Sequence, residues 1–89
     1  MRQYARVLGI ETTTRTAAME TLYARNCHSF LNIARYWAGV RDWDKTIDNL
    51  KAAIRSANKA KMLRTAGLSL VAIRRCQDAR KHFALAVAA

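Results

Sequence analysis

Eighty-nine residues suffice for one domain with one core, and a chain of this size buries roughly 60 to 65% of the surface it would expose unfolded. Sixteen basic residues against six acidic ones give a net charge of +10, and two cysteines, Cys27 and Cys76, are too few for a disulfide-stapled secreted scaffold. No stretch reaches the ~18 consecutive apolar residues of a membrane span, and the opening "MRQYARVLGI" lacks the uncharged core and cleavage site of a secretory signal, so a cytoplasmic protein is expected.

The chain has no proline and only three glycines, while Ala, Leu, Arg and Lys are abundant, so little interrupts helix formation. Residues 1–15 read as a short docking arm with its linker. Tyr4, Val7 and Leu8 can share a helical face, but Gly9 and the run "ETTTRT" interrupt them, because β-branched threonines favour turns or extended chain. Thr14 or Thr16 can then cap a helix whose apolar residues, from Met19 through Cys27 and Phe30 to Trp37, recur every three or four positions. Gly39 can end it.

Asp42 or Asp44 can cap the next helix, whose stripe runs through Trp43, Ile47, Leu50, Ala53, Ile54 and Ala57. Continued through Met62, Leu63 and Ala66, it stops at Gly67, and Ser69 caps a third helix carrying Leu70, Ile73, Cys76, Phe83 and Val87. The expected fold is therefore all-α: a compact three-helix bundle with a short N-terminal arm, one domain over residues 1–89.

A displacement of 33 residues offers an alternative. Phe30, Ile33, Ala34, Trp37, Thr46, Leu50 and Ala53 return as Leu63, Ala66, Gly67, Leu70, Ala79, Phe83 and Ala86. The stretches "FLNIARYW" with "TIDNL", then "LRTAGLSL" with "ARKHF", resemble a pair of tetratricopeptide repeats, whose units carry W-x2-L-G-x2-Y followed by A-x3-F over 34 residues. The resemblance covers residues 30–89. It implies a four-helix arrangement with a turn near Arg74 to Gln77.

Charge and function separate along the chain. Residues 1–48 carry seven basic and five acidic groups, whereas residues 49–89 carry nine basic groups and Asp78 alone as an acid. Such asymmetry favours an anionic partner. Lys51, Arg55 and Lys59 advance by about one helical turn each with Lys61 and Arg64 beside them, and Arg74, Arg75, Arg80 and Lys81 form a second basic group. These nine are the candidate nucleic-acid contacts, acting on phosphates with little sequence preference. Tyr36, Trp37 and Trp43 are the candidate partner-binding aromatics, by stacking or in a protein interface; Trp37 and Trp43 also read as the closure of a helical corner, and Tyr36 as the ring more open to a partner.

Chemistry has little support in the sequence. Cys27, His28, Cys76 and His82 could supply zinc ligands, but adjacent residues 27 and 28 point about 100° apart on a helix. Neither histidine has an identifiable nucleophile and orienting partner. Asp42, Asp44 and Asp48 are explained by the free donors at a helix N-terminus. No catalytic residue, metal site or cofactor is assigned. The expected role is that of a non-enzymatic basic binding protein on nucleic acid. The alternative is a protein-interaction or inhibitor module on an acidic surface of a larger machine, such as a phage-type regulator. The basic helix lacks bulky interfacial anchors, which argues against a membrane surface. A homodimer is a candidate assembly, since a small bundle leaves apolar surface that a second copy can cover.

Overall fold

The computed structural model describes the backbone of residues 2 to 88 and the side chains of residues 16 to 85. Among these residues there are three helices and no strand: α1 (Arg2–Gly39), α2 (Trp43–Lys59) and α3 (Leu63–Ala88). The three-helix, all-α architecture is the one expected from composition and periodicity.

Both connections are built the same way. At the end of α1 the N–H of Asp42 donates to the carbonyl of Trp37 (2.9 Å) and that of Arg41 to Ala38 (3.1 Å), with Arg41 at φ 61°. At the end of α2 the N–H of Met62 donates to Ala57 (2.8 Å) and that of Lys61 to Asn58 (3.1 Å), with Lys61 at φ 59°. This paired 6→1 and 5→2 pattern around one left-handed residue is the Schellman closure. Asp42 also starts α2, its side chain accepting from the N–H of Lys45 (3.2 Å), as expected of an N-cap.

Several sequence expectations are corrected here. Residues 11–16 are helix, so no linker separates residues 1–15 from the rest and neither Thr14 nor Thr16 is a cap. Threonine costs a helix at most roughly 0.7 kcal/mol relative to alanine, and its hydroxyl can bond back within the helix, as Thr21 does to the carbonyl of Ala17 (3.0 Å). Gly39 does close α1, but the left-handed residue is Arg41. Gly67 and Ser69 lie inside α3, and the second break falls instead at residues 60–62. Ser69 turns its hydroxyl to the carbonyl of Thr65 (2.8 Å), so it caps nothing. The four-helix repeat arrangement does not form. α3 runs unbroken through Arg74 to Gln77, where no glycine or proline offers a stop.

α2 is the central element, with α1 packed on one side and α3 on the other. One cluster joins Ala34 of α1, Ile47 and Leu50 of α2, and Ile73 and Cys76 of α3; another joins Cys27, Ala53, Ala57 and Ala66. Met62 packs on the second cluster, which anchors the break after Lys59. The outer helices overrun α2 at opposite ends. Glu20 meets Lys61 and Arg80 meets Asp44, so residues before about 20 and after about 80 extend past the bundle. The molecule measures 74 × 18 × 13 Å with a radius of gyration of 18.8 Å, against about 12 Å for a compact chain of this length.

Candidate functional site

The exposed side of α2 is a narrow stripe, because its other sides are covered by α1 and α3. Asp44 and Asp48 occupy the first half of that stripe, and Lys51, Arg55 and Lys59 the second. Lys51 and Arg55 are exposed with no ion pair among the described residues, whereas the Lys59 ammonium lies 5.0 Å from the centre of the Tyr23 ring. Lys61, in the turn, reaches Glu20 at 3.3 Å.

The α3 cations divide between two flanks. At about 100° per residue, Arg74 and Lys81 share one flank while Arg64 and Arg75 share another, so adjacent Arg74 and Arg75 diverge. All four are exposed and none forms an ion pair among the described residues. Arg80 is held by the Asp44 carboxylate. That pair, together with the packing of Ile47 and Leu50 on Ile73 and Cys76, reflects an antiparallel register of α2 and α3 in which Arg74 falls near the level of Lys51. Thus the structure places Lys51, Arg55, Arg74 and Lys81 on the side of the bundle away from the groove described below. It sets Arg64 and Arg75 apart from them, and engages Lys59, Lys61 and Arg80 within the chain.

The three aromatics of the corner differ in exposure. Trp43 packs against the first cluster, and Trp37 is half-buried with the Lys45 ammonium 4.1 Å from its ring centre. Lys45 is also 3.6 Å from Asp42. Tyr36 meets the edge of Trp37 at 5.0 Å between centres and is 63% exposed.

The cysteines and histidines stay apart. Cys27 is completely buried in one cluster and Cys76 buried in the other, and burial raises the pKa of both thiols above the ordinary range. His28 and His82 are exposed. No group of three or more metal-ligating side chains comes together among the described residues.

A feature the sequence reading missed lies between α1 and α3. These helices diverge above α2 and leave an open groove of about 350 Å³, walled by Leu31, Arg35 and Ala38 on one side and Leu68 and Ala72 on the other, with Leu50 in its floor. Its signal was hard to see, since the walls come from helices separated by the whole of α2. No described helix is long and apolar enough to cross a membrane. Comparison with protein-family models, with curated proteins and with solved structures gives no match for this chain.

Proposed function

We propose that the protein is a non-enzymatic nucleic-acid-binding protein that captures phosphates through α2 and α3. The observation that carries this reading is the state of the cations. Lys51, Arg55, Arg64, Arg74, Arg75 and Lys81 are exposed and free of ion pairs among the described residues, while Asp48 and Asp78 are the only acids of α2 and α3 in that condition. Guanidinium and ammonium groups held on rigid helices suit a polyanion, and such contacts add affinity without reading bases.

The test is binding of nuclease-treated protein to duplex DNA, single-stranded DNA and an RNA hairpin across a salt series. Combined Lys51→Ala, Arg55→Ala and Arg74→Ala substitution is expected to weaken duplex binding and to flatten the salt slope by up to about three, near 0.9 per lost phosphate contact. Lys61→Ala, which removes a cation already engaged by Glu20, should change the slope much less. An unchanged slope in the triple variant would sink this interface.

The groove favours the second reading, an interaction or inhibitor module on an acidic protein. Its apolar walls and the Arg35 guanidinium at its rim suit an amphipathic helix that carries carboxylates. Absence of nucleic-acid binding near physiological salt, together with capture of an acidic amphipathic peptide lost in Leu68→Arg, would make this reading primary.

A further inference from the structure

One side of α1 is exposed and uncharged over more than five helical turns, with apolar side chains at five of its seven positions. Met19, Leu22, Asn26, Ser29, Ile33, Tyr36 and Val40, the last just beyond the helix end, follow a strict alternation of three and four residues. All seven are exposed, from 43% at Ile33 to 63% at Tyr36 where the large hydrophobics are concerned. Their seam is roughly 33 Å long and lies to the side of the residues that pack on α2. In heptad terms Met19, Asn26, Ile33 and Val40 are at a, and Leu22, Ser29 and Tyr36 at d.

We propose that a second copy of this chain docks along this seam, with the two α1 helices parallel. Three observations select that occupant. β-Branched residues at a, with leucine at a d position, favour two parallel strands, and a single asparagine at a specifies register by pairing with its counterpart. Within the helix Ile33, Leu22 and Asn26 fill those roles.

The second observation is charge. Two molecules of +10 repel over most of their surfaces, and this seam, which holds no ionisable group but Tyr36, is where a like-charged copy can approach. An acidic partner would instead be drawn to the cations of α2 and α3.

The third is area. The chain exposes 7110 Å², about a third more than the ~5,300 Å² expected of a folded monomer of this mass. Part of that excess lies on the ends of α1 and α3 that overrun α2, and an interface of standard size takes ~800 Å² from each partner. The arrangement puts α1 and its counterpart at the centre of six helices and leaves Lys51, Arg55 and Arg74 on outer faces.

Light scattering of the nuclease-treated full chain in moderate salt tests the proposal. A dimer of about 20 kDa, twice the 10.1 kDa chain, is expected at about 10 µM. Combined Leu22→Glu and Ile33→Glu should weaken association roughly tenfold or more with helical circular dichroism retained, since both side chains are exposed. A wild-type monomer even at about 100 µM, or a well-folded double variant that dimerises unchanged, would overturn the proposal. Single Leu22→Cys chains should cross-link to themselves on oxidation. Cross-linking only in a mixture with Tyr36→Cys chains would overturn the parallel order.

Discussion

Arg41 and Lys61 hold the left-handed conformation at the two turns, where glycine is the usual occupant. A side chain there costs roughly 1 to 2 kcal/mol, so Arg41→Gly or Lys61→Gly is expected to stabilise the fold by up to about 1 kcal/mol after the ~0.4 to 1 kcal/mol for the greater freedom of glycine in the unfolded chain is counted. Denaturant unfolding would show it as a higher midpoint, and a lower midpoint in both variants would refute it. Gly67 presents the mirror case. It sits in a helix interior with open space where a Cβ would stand, so Gly67→Ala should stabilise by about 0.5 to 1 kcal/mol. Sequence reading assigned glycine to a stop and overlooked the two basic residues that make the turns, because a left-handed arginine or lysine leaves no mark in composition.

The buried thiols make a further residue-scale prediction. Their pKa values are raised by desolvation, so the folded chain holds these protons more tightly than the unfolded one. The resulting stability is complete below the unfolded thiol pKa of about 8.5 and is lost as pH rises through and above it. Thermal melts should be level from about pH 6.5 to 8 and fall beyond, with a shallower fall in Cys27→Ala than in the parent. Equal alkaline slopes in the two proteins would contradict the assignment.

At the scale of the helix, α2 owes its central place to a sequence that is apolar or small on two sides. Ala53 and Ala57, one turn apart and both with no exposed surface, meet Cys27 of α1 and Ala66 of α3. Small side chains at this contact let the helices approach closely, so Ala53→Leu is expected to cost about 1 to 3 kcal/mol by overpacking. Leu50→Ala, which removes one of the few large buried side chains, should cost about 2 to 5 kcal/mol; an effect below 1 kcal/mol at both positions would show that this contact is loosely packed. The stripe through Ile47, Leu50, Ala53 and Ala57 was legible from spacing alone. The end of α2 was not, because apolar periodicity continues from Ala57 through Met62 to Ala66 and the break depends on Met62 turning onto the second cluster. The repeat resemblance drew on positions that do share apolar character, yet α3 has no residue that would halt it at Arg74 to Gln77.

For the whole molecule, net charge opposes the folded state. Three ion pairs are formed among the described residues, all on the surface, against a net charge of +10. Exposed pairs add little, and uncompensated like charge destabilises the folded chain. Raising salt from about 20 to 200 mM should therefore increase the melting temperature by a few degrees; a decrease would mean that the surface pairs outweigh the repulsion. The nine basic candidates were legible as residues, but their distribution was not. Only the packing of α2 against α3 decides that Arg74 lies level with Lys51, that Arg75 faces elsewhere and that Arg80 is taken by Asp44.

Helix content, the start and face of α2, the burial of both cysteines and the basic bias of the second half follow from local propensity and periodicity, which act within a few residues. The turn positions, the unbroken α3, the groove between α1 and α3 and the division of the cations follow from which faces meet. Those contacts join residues tens of positions apart. Their outcome rests on packing and charge pairing between helices, to which a pattern read along one helix is blind.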